Sequence, residues 1–575
     1  MRRRAPSRPG PSGSRTLPLV CLGLGAGAFA VFARTLGFGF VWDDPIVLER
    51  QLPAFRHWTD FLFPPRGLPQ MAPEYYRPLV FASYAFDAWL GGGKPAWFHA
   101  TVVAAHAIAT LGVFFLGLEL FGTARRRQGL CAAALGAGLF AAHPVHVEAV
   151  AWVAGRADVF ATMFGTWATC FHLRARRSPG LAWASGAALF LALASKEVAL
   201  ALWALLPACD VFLRRGDPST RLVRRYAPLV LAGVLYVLLR RSVVEASVSE
   251  DIFGAAPGTL ALAVLVAGFS LEKLVWPWPS NAYIAEVPGS PLRVVSGLLL
   301  LGLATWAPSG LRRKAPSSAF LASWVLLGLV PSLWAVFGLP EVPVAERYLY
   351  FPSVGFCLLV GKGVADLAAG GRLVWALATA AATSLAVCSA VQSRVWTDDL
   401  SLWSDTVAKS PNAALPFRNL ATALEKLGRT EEAIRYYRAA LEKKGSRAGQ
   451  VSAYTNLGTI AFRRGRFEEA EEYYARALSL GQSPEALYNL AVLLLTRASR
   501  LEEPGRRELV AEALRYLRAA EELSPWDGDI QAAIGQALLL RERRAEARRR
   551  FRRALELGVQ GPTRELILEE LRRGS

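Results

Sequence analysis

The stretch "FRNLATALEKLGRTEEAIRYYRAAL", residues 417–441, returns as "YTNLGTIAFRRGRFEEAEEYYARAL" at 454–478. Ala421, Gly428, Ala433, Tyr437 and Ala440 coincide with Gly458, Gly465, Ala470, Tyr474 and Ala477. A third copy opens at "LYNLAVLLL" with Ala491 and resumes, after an insertion, at "AEALRYLRAAEELSP". A fourth carries Gly535, Ala547, Phe551 and Ala554. Small residues at fixed offsets let two antiparallel helices approach closely, and the aromatic fills the space beside the next pair.

This spacing matches the tetratricopeptide pattern, so residues 393–575 are expected to stack as an α-solenoid. "LSLWSDTVAKSP" (400–411) is expected to cap the array. The concave surface of such an array suits an extended peptide or protein partner.

Upstream the composition changes. Of the 575 residues, 53% are hydrophobic and 19% charged. The apolar runs all lie before about residue 392, where they alternate with short polar loops as in a polytopic membrane protein. The length excludes a single ordinary core. The net charge of +19 does not indicate nucleic acid. Basic clusters sit in membrane loops, and the arginines of "RERRAEARRRFRR" (541–553) lie on a helical pattern with Ala and Glu, a solvated or lipid-facing arrangement. The six cysteines lie in or beside apolar runs without a CxxC spacing, which argues against a disulfide framework or zinc knuckle. "MRRRAPSRPGPSGSR" before the first run reads as the flank of an uncleaved first span.

Lys and Arg in the short loops orient the chain. The N-terminus is expected in the cytoplasm, with a first span at about 17–38, a second at 96–121 and a third at 130–142. A fourth ends at "RARR" (174–177), and a fifth and sixth form a hairpin around "SKE" (195–197). A seventh covers 227–239, an eighth 293–307, a ninth and tenth flank "GLPEVPVAERYLYFP", and a last ends near Val391. "LALAVLVAGFSLEKLVWPWP" (260–279) is expected to be interfacial or re-entrant, because Glu272 and Lys273 are costly at mid-bilayer and Trp favours the headgroups. About eleven spans result, with residues 393–575 outside.

That threading collects Asp43, Asp44, Glu74, Arg77, His143, His146, Glu148, Arg156, Asp158, Lys196, Glu197, Glu346 and Arg347 on the outer face. In "FGFVWDDPIVLE" (38–49) the aromatics hold the two carboxylates at headgroup depth, where a lipid phosphate and a polar acceptor can meet. Pro45 biases Asp44 towards extended backbone. His143, His146 and Glu148 form His-x-x-His-x-Glu with Pro144 between the histidines. This is not the helical HExxH arrangement; structural hydrogen bonding at a span's end is expected ahead of sugar or acceptor contact, Glu148 is a candidate second acid, and neither a metal nor another cofactor is expected. "YYRPL" and "SKE" also suit interfacial anchors and a hairpin-capping ion pair.

The whole chain resembles the transmembrane and tetratricopeptide repeat-containing family, a branch of the GT-C glycosyltransferases. The resemblance rests on "FVWDDP", "YYRPLVFASYAFD", "WFHATVVAAHAIA", "HPVHVEAVAWVAGRADVFATMF", "SKEVALALWALLPACDVF" and "AERYLYFPSVGFCLLV", in that order, then the repeats. It implies an all-α fold, with residues 1–392 a GT-C-like transferase domain. It implies a polyprenyl-phosphate sugar donor, with mannose the expected sugar, and Ser or Thr hydroxyls of extracytoplasmic proteins as acceptors, recruited by the repeats. By the same resemblance Asp43 or Asp44 is the catalytic base, with Asp44 favoured because it lies one residue further from the span and Pro45 restricts its backbone. Glu74, Arg77, His143, His146, Glu148, Arg156, Asp158, Lys196, Glu197 and Arg347 are the candidate donor- and phosphate-binding groups, with Arg347 and Arg156 favoured for the phosphate. The membrane is the inner one for a bacterial chain and the endoplasmic reticulum for a eukaryotic one. The alternative is a non-catalytic, membrane-anchored repeat scaffold for envelope assembly. A transporter fits less well, because the charges gather at one face rather than at the midplane.

Overall fold

A computed structural model describes residues 13–64, 76–122, 126–213, 219–244, 259–310, 314–338, 344–368 and 371–573. Those residues are helical apart from loops and two isolated bridges, Ile284 with Val344 and Ala413 with Lys444. Contacts divide them into two compact units, one up to Thr406 and one from Val407 onward.

In the first unit, four helices among the described residues are long and apolar enough to cross a membrane: Thr16–Gly37, Pro95–Phe121, Leu222–Val243 and Arg372–Trp396. A fifth arises if the pair Arg127–Ala142 and Pro144–Ala151, bent by 50°, counts as one span. The expectation of about eleven spans is not supported. One of the apolar runs folds into the helix Leu181–Leu193, of 13 residues. At ~1.5 Å per residue, a helix of that length falls short of a hydrocarbon core of ~30 Å. The run at 260–279 forms the helix Thr259–Val275 and leaves it before the Trp-Pro-Trp-Pro segment. Its Lys273 pairs with buried Glu346 at 3.0 Å, so the charge faces protein rather than lipid.

The Arg126–Ala142 helix packs between Pro95–Phe121 and Ser353–Leu367, and Arg156–Arg174 packs on Pro95–Phe121 and Leu181–Leu193. Small residues permit the closest of these approaches. A Cβ on Gly361 would lie 2.5 Å from the Ala132 carbonyl oxygen. At the far end of Arg156–Arg174, Asp210 accepts from Arg225 (2.6 Å) and Tyr226 (2.7 Å), and His172 lies 3.2 Å from the same carboxylate. These bonds tie three helices at the end opposite the Asp158 cluster.

The second unit stacks helix pairs: Ala414–Lys426 with Thr430–Leu441, Arg447–Arg463 with Phe467–Leu480, Pro484–Ala498 with Gly505–Leu523, and Gly528–Leu540 with Arg544–Glu556. Gly561–Arg572 follows. The small positions read from the repeats are buried: Ala433, Ala470 and Ala547 have no exposed surface. A Cβ on Gly458 would lie 2.6 Å from the Tyr474 ring, and one on Gly535 2.5 Å from Phe551, so the aromatic occupies the space a side chain would need. Overpacking of this kind costs ~1–3 kcal/mol. Gly458→Ala is therefore expected to lower the melting temperature of the full chain, followed by circular dichroism, while Gly428→Ala, with nothing near its Cβ, tests only its positive φ of 74°. Equal loss from a substitution at the exposed Gln482 would remove close packing as the cause. The capping role expected for 400–411 needs correction. Leu400–Thr406 belongs to the first unit, and Trp403 is buried there, edge-on to Trp42.

Candidate functional site

The first span ends in a short 3-10 turn at Ala33–Gly37, and the chain then runs extended before turning at Trp42 and Asp43. Trp42 has φ of 56°, a left-handed conformation that bulky residues adopt only where the surroundings impose it. The surroundings are specific. The Trp42 backbone N–H donates to Asp399 Oδ1 at 2.9 Å. Its ring stacks on Trp152, with centroids 4.8 Å apart and planes 15° from parallel. Trp403 meets it edge-on at 5.1 Å.

The adjacent carboxylates have different environments. Asp44 is buried; Oδ2 accepts from the Val41 N–H at 3.2 Å and Oδ1 from the Ala154 N–H at 2.8 Å. It starts a helical turn continued by Ile46–Gln51, so the extended backbone expected before Pro45 is not adopted. Two backbone donors outweigh the pre-proline bias, and they tie the first loop to the Val153–Gly155 turn. Burial pushes the Asp44 carboxyl up to about 8, against the pull of those two donors. Both Asp44 oxygens thus hold the loop, a role beside the one expected for it as the reacting group. Asp43 is half-buried, and among the described residues its carboxylate is given no hydrogen bond or ion pair. Burial pushes Asp43 up to about 6, with Arg347 pulling it down and Asp399 pushing it further up.

Arg347, whose charge bears on Asp43, belongs to one of three neighbouring acid–base pairs. Arg347 donates from its guanidinium to Glu148 Oε1 and from its backbone N–H to Oε2 at 2.9 Å. Lys196 donates to Asp158 Oδ2 at 2.6 Å, and Arg77 to Glu197 Oε2 at 2.8 Å. In the first two the acid is hidden and the cation partly open: side-chain exposure is 3% for Glu148 against 16% for Arg347, and 5% for Asp158 against 12% for Lys196. The Tyr348 ring joins them, 5.0 Å from the Arg347 guanidinium and 5.1 Å from Lys196 Nζ, and Arg347 also lies 5.3 Å from the Trp152 ring. Burial works against the Arg347 charge, but Glu148, Tyr348 and Asp158 outweigh it and hold the guanidinium above its ordinary value. Burial lowers Lys196, opposed by Asp158 and reinforced by Arg77 and Arg347. Burial alone would raise Glu197, but Arg77 outweighs it and holds the carboxyl below its ordinary value. The result is a half-buried carboxylate near one fixed, partly open guanidinium, with two further paired cations next to that guanidinium.

Other expected site residues lie elsewhere. Arg156 has no exposed surface. It donates to Asp87 Oδ2 at 2.6 Å, Ser83 Oγ at 2.9 Å and the Phe98 carbonyl at 3.0 Å, and lies 4.3 Å from the Tyr84 ring. With its fork spent in the core it is a structural cation, which corrects its assignment to a phosphate. His143 and His146 make structural hydrogen bonds, the role expected of their motif ahead of sugar or acceptor contact. Both are buried; one ring nitrogen of His143 lies 3.0 Å from the Leu274 carbonyl, and one of His146 lies 2.8 Å from Ser353 Oγ. Rings so placed lock helix ends together, and no group of three or more metal-ligating side chains is set to hold an ion among the described residues. Glu74 lies outside the described residues. Glu346 is buried against Lys273; burial pushes it up to about 7, against the Lys273 charge.

Sequence reading missed Asp399, Tyr348, Lys273 and the tryptophans 152, 396 and 403. A signal existed for two of them. "VWTDDL" (395–400) after the last span echoes "VWDDP" (41–45) after the first, and a Lys inside an apolar run calls for a buried partner.

An all-helical membrane unit with a clustered acid–base site, followed by a helix-pair array, defines the class. A family model described as tetratricopeptide repeat matches residues 412–483. Among curated proteins, the chain is 26% identical over 441 residues to a protein O-mannosyl-transferase of Caenorhabditis elegans, covering 72% of this chain and 61% of that one. It is 26% identical to protein O-mannosyl-transferase Tmtc1 of Drosophila melanogaster (72% and 60% covered) and to TMTC1 of Mus musculus (76% and 59%). The chain is thus similar to protein O-mannosyl-transferases of the TMTC type, the resemblance its motifs carry, and it spans about six tenths of the length of these relatives. A solved crystal structure of the APC/C hetero-tetramer Cut9–Hcn1 aligns with 86% of the chain and 92% of its own at 14% identity and a TM-score of 0.26.

Proposed function

We propose that this chain is a membrane glycosyltransferase. It moves a sugar, mannose by the names of its relatives, from a polyprenyl phosphate to Ser or Thr hydroxyls of proteins held by the repeats. The single observation that carries the reading is the half-buried carboxylate of Asp43 beside the partly open Arg347 guanidinium. In the reaction the acceptor hydroxyl oxygen bonds to the anomeric carbon and the bond from that carbon to the phosphate oxygen breaks. The hydroxyl proton passes to the Asp43 carboxylate, and polyprenyl phosphate leaves with the electron pair. A positioned base makes a weak nucleophile competent. Fixed cations at the departing phosphate stabilise charge that grows only as the bond breaks, which favours the transition state over the bound donor. Arg347 suits this through its fork, with Lys196 and Arg77 beside it. Glu148, Asp158 and Glu197 hold those cations in place. Asp44 holds the loop. On this reading the site and residues 393–575 share the extracytoplasmic face, as the charge bias of the loops suggests.

The test is the full chain purified into lipid, with polyprenyl-phosphate mannose and a Ser/Thr peptide taken from proteins that lose modification in a deletion strain. Transfer is expected, and kcat/KM should rise with pH through about 6, because the base acts only once Asp43 has lost its proton and burial raises that pKa. No transfer to any such peptide, with the deletion phenotype rescued by Asp43→Asn, would leave the scaffold reading in its place.

A further inference from the structure

We propose that Asp399, on the segment that follows the last apolar helix, is a positioning residue for the base. Its carboxylate holds Trp42 in the left-handed turn that sets where Asp43 stands. The proposal rests on the reading of Asp43 as base.

The geometry separates Asp399 from ordinary anchoring. The 393–406 segment is already fixed to the first loop by other contacts. The Gly39 N–H donates to the Thr397 carbonyl at 3.0 Å, Trp403 lies edge-on to Trp42, and Trp396 stacks near Trp152 with centroids 6.0 Å apart. Asp399 adds a contact one residue from Asp43, at the one backbone position of the loop that sits in the left-handed region. A bulky residue there costs ~1–3 kcal/mol unless the surroundings over-determine it. The acceptor at Trp42 N–H is part of that determination. Relaxing Trp42 to the ordinary region would swing Asp43 away from Arg347, and displacements of ~1 Å at a reacting group cost on the order of 100-fold in rate.

Asp399 has a second, separable effect through its charge. Three charged groups bear on Asp43 from the elements around it: Arg347 on the Glu346–Leu349 turn, Asp399 on the Asp399–Lys409 helix, and Asp44 next to it. Glu148 acts on Asp43 through its pairing with Arg347. Asp398 is exposed and caps the Ser401 N–H at 2.8 Å. Of the carboxylates outside the loop, Asp399 is the one that keeps the base basic.

Two substitutions divide these effects. Asp399→Asn keeps an oxygen acceptor for Trp42 N–H and removes the charge; Asp399→Ala removes both. In the transfer assay with the full chain in lipid, Asp399→Ala is expected to lower kcat by on the order of 100-fold with donor KM little changed. The near-ultraviolet circular dichroism of the Trp42–Trp152 stack should diminish with it. Asp399→Asn is expected to keep the stack signal and the high-pH rate, and to move the acid limb of kcat/KM to lower pH, because losing a negative neighbour makes Asp43 easier to deprotonate. Asp398→Asn should leave all of these at wild type. A wild-type kcat in Asp399→Ala overturns the proposal. So does an unmoved acid limb in Asp399→Asn, or an Asn variant as impaired as the Ala variant, which would mean that Asp399 merely supports the fold. Failure of the base assignment is a separate outcome: Asp43→Asn would then transfer sugar at the wild-type rate, whereas the stack signal reports on Trp42 without any catalysis.

Discussion

Asp43→Asn should slow sugar transfer by roughly 100- to 10,000-fold, the range set by loss of a general base, with donor-lipid affinity little changed. Asn keeps the size of the side chain and cannot take the proton. Because Asp43 is half-buried and carries no structural hydrogen bond among the described residues, the variant should melt close to wild type. Asp44→Asn should behave in the opposite way. An Asn offers one acceptor oxygen where the loop needs two, so either the Val41 or the Ala154 N–H loses its partner. A buried donor left without an acceptor costs ~1–3 kcal/mol. The expected result is a lowered melting temperature with the milder loss of turnover. Rates and melting curves for both variants, measured on the same preparations, decide the matter. If Asp44→Asn is inactive and stable while Asp43→Asn transfers sugar normally, the roles assigned to the pair are reversed.

Arg347→Ala should be the most damaging change to a cation. Two losses combine. The departing phosphate loses a fixed positive group, worth on the order of 100- to 1,000-fold in kcat. Glu148, 3% exposed, is left as a buried charge without its partner, and breaking such a pair costs ~3–5 kcal/mol. A double variant separates them. In Arg347→Ala with Glu148→Gln the buried charge is gone, so melting temperature should recover much of the way while transfer stays low. Arg347→Lys should fall between, keeping a positive charge and losing the fork that meets two oxygens at once. Recovery of transfer together with stability in the double variant would make Arg347 a structural cation, as Arg156 is.

The comparison of Arg347 with Arg156 shows why sequence could rank neither. Both follow a buried stretch, both stand beside an acid, and both fall in motifs that carry the family resemblance. Arg156 meets Asp87, Ser83 and Phe98 across the fold, and nothing local in "GRAD" reveals that partner. The histidines of "HPVH" were equally opaque, because their partners, Leu274 and Ser353, come from distant helices.

What the sequence determined by itself is local or periodic. Small residues at constant offsets place two helices in contact wherever the copies occur, so the array was legible from Ala433, Ala470, Tyr437 and Tyr474 alone. Long apolar runs, and carboxylates directly after one of them, were legible for the same reason: hydropathy and adjacency need no partner. Only the tertiary structure decided how many of those runs become helices of spanning length, since short turns and bends divide them. It alone gave Asp43 and Asp44 different surroundings. Neighbours in sequence have identical prospects until the Ala154 N–H and the Asp399 carboxylate, supplied from far along the chain, tie one to the backbone and leave the other beside Arg347.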